Sequence, residues 1–165
     1  MQVTVDRIKE LREKTGVGIM DCKKALTDCN GDLDAAVIML REKGFSVAAK
    51  KKGRALKSGL VVSYIHPGGR IGALVEVNCE TDFVARTSDF NCLAHDIAMQ
   101  VAAMKPKYIS SEEILKGEIP EEVCLTLQPF IKDPRRKIED LIVETVAKVG
   151  ENIGIGKFSR FELGE

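Results

Sequence analysis

Apolar residues recur at helical spacing through the first 45 positions. Val5, Ile8 and Leu11 mark one face of a short helix, and Thr15-Gly16-Val17-Gly18 stops it. Cys22, Ala25, Leu26 and Cys29 fall at i, i+3, i+4 and i+7, the stripe of an amphipathic helix. Asn30-Gly31 ends that helix because both residues tolerate positive φ. Asp32 is suited to cap the next one. Leu33, Ala36, Val37 and Leu40 repeat the stripe, and Gly44 is expected to end it. Three short helices can share one small core, so residues 1–46 are read as a three-helix module. Residues 47–58 follow as a basic linker punctuated by Gly53, with Lys50, Lys51, Lys52, Arg54 and Lys57 in or beside it.

The pattern then changes. Leu60-Val61-Val62-Ser63-Tyr64-Ile65 is β-branched and aromatic, the composition of a strand. His66-Pro67-Gly68-Gly69-Arg70 reads as a turn, and Ile71 to Val77 as a second strand, giving a hairpin. A polar corner, Asn78 to Arg86, carries one large aromatic, Phe83, directly after Asp82. Ser88 is positioned to cap a helix whose stripe is Phe90, Leu93, Ala94, Ile97, Ala98 and Val101, closed by Lys105-Pro106. Ser110 and Glu113 have capping-box spacing for a short helix reaching Ile114 and Leu115. Pro120 opens another, with Val123, Leu127 and Phe130 on one face and Pro129 at its end. Asp133-Pro134 is read as cap and first position of a last helix, striped by Ile138, Leu141, Ile142, Thr145, Val146 and Val149 and stopped by Gly150. Ile153 to Leu163 alternates apolar and polar residues, so it is a third strand. A lone hairpin is barely stable. The late strand is therefore expected to complete a three-stranded sheet under the helices, an α+β core over residues 59–165.

Composition narrows the function classes. The 165 residues are 44% hydrophobic and 30% charged, with formal net charge zero. A neutral chain is not steered as a whole toward nucleic acid or anionic lipid. Charge is uneven, however. Residues 1–57 hold 13 Lys+Arg against 8 Asp+Glu, and residues 58–165 hold 12 against 17. Five cysteines, none in C-x-x-C spacing, argue against a zinc cluster or a disulfide framework and fit a reducing compartment. The stretch Met1–Asp6 has no signal-peptide character, and no run reaches membrane-spanning length. No phosphate-cradling glycine loop and no nucleophile elbow occurs. Cys92 and His95 stand three apart, but a nucleophile needs an orienting third group and a cleft. No cofactor is expected, and the chain is read as a binding protein, not an enzyme.

The corner itself supports two readings. Thr81 or Asp82 caps a helical turn and Phe83 or Val84 enters the core, as most aromatics do. Alternatively, Asp82 and Phe83 stand out and push into another protein. A nucleic-acid-binding module using the basic N-terminal half is the competing function.

Three longer stretches resemble bacterial translation elongation factor Ts. They are Leu11-Arg12-Glu13-Lys14-Thr15-Gly16-Val17-Gly18-Ile19-Met20-Asp21-Cys22-Lys23-Lys24-Ala25-Leu26 with Asn30-Gly31-Asp32, then Glu80-Thr81-Asp82-Phe83-Val84-Ala85, then Gly150-Glu151-Asn152-Ile153 with Arg160-Phe161-Glu162-Leu163-Gly164. The resemblance spans essentially the whole chain. It implies a ubiquitin-associated-like N-terminal module and a small antiparallel sheet with helices. It implies guanine nucleotide exchange on elongation factor Tu, in its GDP-bound and nucleotide-free forms, in the cytoplasm, without nucleic acid or membrane as partner. By similarity Arg12, Ile19 and Met20 match partner-binding positions, with Lys51 and Lys52 as further contacts. Thr81, Asp82, Phe83 and Val84 match the family segment that dislodges magnesium from the partner. One hairpin, one corner and one late strand make this a short form, and some short forms pair through the end of the core, so a homodimer is inferred. Ser159 stands in the region where some short members carry a cysteine, so a disulfide-locked pair is not expected.

Overall fold

A computed structural model of the chain describes residues 3–165, so Met1 and Gln2 of the N-terminal stretch lie outside it. The N-terminal stripes become α1 (Val5–Thr15), α2 (Ile19–Asp28) and α3 (Leu33–Lys51). Thr4 caps α1 by accepting the Arg7 N–H, and Asp32 caps α3 by accepting from Asp34 and Ala35. Asn30 and Gly31 both take positive φ, 51° and 80°, which asparagine tolerates and glycine, lacking a β-carbon, adopts freely. Leu11, Cys22, Ala25, Leu26, Ala36 and Leu40 form the small core shared by the three helices.

Gly44 does not end α3, contrary to expectation. The helix runs seven residues further, to Lys51, so only residues 52–57 connect to the first strand. A glycine inside a helix costs about 1 kcal/mol relative to alanine. Here Gly44 is buried against α7 (Ile138–Val149). A β-carbon there would sit 3.5 Å from Val143 and 3.7 Å from Ala147. Close approach of the two helices, together with an Arg41–Asp140 ion pair across them, outweighs the local penalty.

β1 (Ser58–Ile65), β2 (Ile71–Cys79) and β5 (Ile153–Glu162) form an antiparallel sheet with β2 in the centre. One sheet face packs on α5 (Ser88–Met104). Val75, Val77, Phe90, Leu93, Ile97, Ala98 and Val101 are buried there with Ile138 and Val146 of α7. The fold is therefore α+β, as expected. Thr87, not Ser88, caps α5 by accepting the Phe90 N–H.

The segment between α5 and α7 departs most from expectation. The capping-box spacing at Ser110 opens only a 3-10 turn, Ser111–Glu113. The helix begun by Pro120 is one turn, α6 (Pro120–Val123), followed by a second 3-10 turn, Leu125–Leu127. Asp133-Pro134 does not start α7. It starts β4 (Asp133–Lys137), which pairs with β3 (Pro129–Phe130). Residues 134–137 have no apolar stripe to bury, and an edge strand tolerates proline. The helix begins at Ile138, where Asp140 accepts the Lys137 N–H at 2.8 Å. Two wholly buried glutamines hold this segment to α5. Gln100 donates to the Pro129 carbonyl and accepts the Ile131 N–H, while Gln128 donates to the Glu122 carbonyl. No helix among the described residues is long and apolar enough to cross a membrane.

Candidate functional site

The end of β2 and the start of α5 are joined by α4 (Asp82–Ala85), a single turn whose N-cap is Thr81. Val84 and Ala85 are each 4% exposed and dock the turn on the sheet. Phe83 is 78% exposed. The first reading of the corner holds for Thr81 as the cap and Val84 as the core residue, but not for Phe83, whose ring stands in solvent as the second reading expects. Asp82 pairs with Arg86 at 2.6 Å, both side chains well exposed. Such a surface pair is worth at most about 1 kcal/mol, so a partner can take either charge at small cost.

The turn is held from both sides. The Thr87 hydroxyl donates to the Val84 carbonyl at 2.8 Å, and the Asn91 amide donates to the Ala85 carbonyl at 3.1 Å. The Cys79 thiol donates to the Thr81 carbonyl at 3.1 Å. Burial, followed by the charge of Glu151, pushes that thiol above its ordinary pKa, so it stays protonated as a donor.

A second turn, residues 150–152 between α7 and β5, meets the corner. The Glu151 carboxylate takes two hydrogen bonds from Thr81, from its hydroxyl at 2.6 Å and from its N–H at 3.0 Å. Glu80 returns the contact by accepting the Asn152 N–H at 2.7 Å. The Asn152 amide donates to the Arg54 carbonyl at 3.1 Å, and Arg54 lies 3.6 Å from Glu80. Lys51, at the end of α3, donates to the Gly150 carbonyl.

The residues singled out from sequence therefore fall into two groups. Arg12, Ile19 and Met20 flank the α1–α2 turn, and all three are exposed, Met20 by 73%. Thr81 to Val84 lie at the end of β2, on the other core. Lys51 belongs with the corner through Gly150, and Lys52 is exposed at the C-cap of α3. Sequence reasoning gave no role to Glu151, Asn152, Glu80 or Arg54. Glu80 and Gly150-Glu151-Asn152 lie in the stretches that carry the family resemblance and Arg54 in the basic linker, but neither signal says what a carboxylate there will meet. His95 packs edge-on against Tyr64, with ring centroids 5.7 Å apart. Among the described residues no group of three or more His, Cys, Asp or Glu is placed to hold a metal ion.

An α+β scaffold that displays a rigid acid–aromatic turn beside a small helical module defines a protein built to engage another macromolecule. A family model, Elongation factor TS, matches residues 32–122. Elongation factor Ts of Carboxydothermus hydrogenoformans is 47% identical over 195 residues, covering 99% of this chain and 90% of its own. That of Herpetosiphon aurantiacus is 46% identical over 196 residues, covering 99% of each. That of Thermotoga neapolitana is 46% identical, covering 100% of this chain and 99% of its own. This chain belongs to the elongation factor Ts family. The first alignment runs over 195 positions where this chain has 165 residues, so about thirty positions (195 less 165) have no counterpart here.

Proposed function

We propose that this protein promotes release of GDP from elongation factor Tu during translation elongation, by inserting the Asp82–Phe83 corner and dislodging the magnesium that helps hold the nucleotide. The observation that carries this reading is Phe83, an aromatic ring left in solvent on a turn anchored at Thr81 and Val84. Magnesium and backbone amides together hold the phosphates of a bound nucleotide. Burying a phenylalanine is worth about 1.5–3 kcal/mol. If that burial is reached only in a distorted GTPase, the factor binds the distorted state better, and it weakens GDP by the same factor by which GDP weakens it. No reactive group on the exchange factor takes part. Arg12, Ile19 and Met20 supply a second, anchoring contact from the helical module, with Lys52 and Lys51 at its end. The cytoplasm is where the reaction runs.

The test is release of labelled GDP from the cognate elongation factor Tu with and without this protein. Stimulation at sub-stoichiometric factor is the expected result, and an unchanged rate would sink the reading.

A homodimer is part of the same proposal. The sheet is covered by α5 on one face only. On the other, Val61, Ile65, Leu74 and Phe161 are exposed, Phe161 by 70%. Gly72 sits between Ile65 and Phe161 in register, and an open hollow of about 580 Å³ on this face is lined by Ile65, Gly72, Leu74, Phe161 and Leu163. An antiparallel sheet can leave one face in water, but a contiguous apolar patch on that face marks an interaction surface, and a second copy of the same face completes a sandwich. Leu74→Asp is expected to convert a dimer to a folded monomer, seen as halved mass in light scattering with an unchanged far-ultraviolet spectrum. A wild-type monomer at micromolar concentration excludes the dimer.

A further inference from the structure

We propose that Glu151 is a positioning residue for the exchange corner, acting through Thr81 to hold the Phe83 turn in the orientation that presents the ring. The proposal rests on the corner reading given above. Its ground is geometric. Thr81 is both the N-cap of α4 and the residue whose N–H and hydroxyl are taken together by one carboxylate, at 3.0 and 2.6 Å. That carboxylate comes from a turn 70 residues away in sequence, so together with the Glu80–Asn152 bond it fixes the corner against the end of α7, and it alone does so at the N-cap of α4 itself. Val84, the next anchored residue, then sets which way the preceding ring points.

The same turn joins the corner to the helical module. Gly150 takes Lys51 from the end of α3, Glu151 takes Thr81, and Asn152 ties Glu80 and the Arg54 carbonyl. Three successive residues thus connect the module that anchors on the partner to the turn that enters it. A wedge delivers its burial energy only if it arrives ordered, since fixing loop residues costs chain entropy. Glu151 keeps that cost from falling on the exchange step.

The experiment is stimulated GDP release from elongation factor Tu, measured across factor concentration, for the wild type, Glu151→Ala, Glu151→Gln, Phe83→Ala and the Glu151→Ala/Phe83→Ala double variant. Charge-assisted hydrogen bonds carry enough energy for Glu151→Ala to lower the maximal rate roughly tenfold. The half-saturating concentration should move less than the rate, and the melting midpoint should fall by no more than a few degrees. Glu151→Gln keeps an acceptor for Thr81 and should recover part of the rate. In the Phe83→Ala background, Glu151→Ala should add nothing, because it acts only through the ring. Equal losses in both backgrounds, or a wild-type maximal rate for Glu151→Ala, overturn the positioning role while leaving the corner reading intact. A wild-type rate for Phe83→Ala alone overturns the corner reading itself.

Discussion

Phe83→Ala is expected to slow stimulated GDP release by between about tenfold and a hundredfold, the range that follows from losing about 1.5–3 kcal/mol of aromatic burial at a partner surface. The same change should leave the protein itself almost untouched. The ring is 78% exposed, so little packing is lost, and surface substitutions of this kind usually stay within about 0.5 kcal/mol. Stopped-flow release of a fluorescent GDP analogue and a thermal melt of the free factor give the two numbers. A large drop in melting temperature with proportionate loss of activity would mean that the ring supports its own fold. A wild-type exchange rate would remove the wedge. The upper end of the range is still too small for one side chain to account for a strong exchange factor alone. The contacts from Arg12, Ile19 and Met20 must therefore contribute.

Phe90→Ala, seven residues along, is expected to do the reverse. Phe90 is wholly buried in the first turn of α5, between the sheet and α7. Removing a buried phenylalanine leaves a cavity and costs about 3–5 kcal/mol. For a chain of this size each kcal/mol shifts the midpoint by about 2–4 °C, so a fall of roughly 10 °C is the expected reading in a calorimeter. A shift of only a degree or two would mean that the core closes over the gap. The two phenylalanines are chemically identical and near in sequence. They differ in placement: Phe83 stands on the outer side of the one-turn α4, and Phe90 on the core-facing side of α5.

Much of the chain was legible because its signal is local. The stripes of α1, α2 and α5 and of the Ile138–Val149 helix, the alternation in β5 and the positive-φ stop at Asn30-Gly31 each report a property of neighbouring residues. The failures have a common cause. Gly44 looks like a stop until Val143 and Ala147 are found across from it. Asp133-Pro134 looks like a helix start until Asp140 is found accepting the Lys137 N–H, with residues 133–137 paired to Pro129 and Phe130. Gln100 draws no reading at all, because its partners at Pro129 and Ile131 lie 29 and 31 residues on.

From its residues alone, the chain was readable as a small helical module joined to an α+β core, with no reactive constellation and one polar corner carrying an aromatic. Periodicity and turn chemistry are written within a few residues, so they survive without coordinates. Whether that aromatic faced inward or outward was decided only by the fold. A single helical turn has no stripe of its own, and its rotation was set by Val84 against the sheet and by Glu151 reaching Thr81 from the far end of the chain.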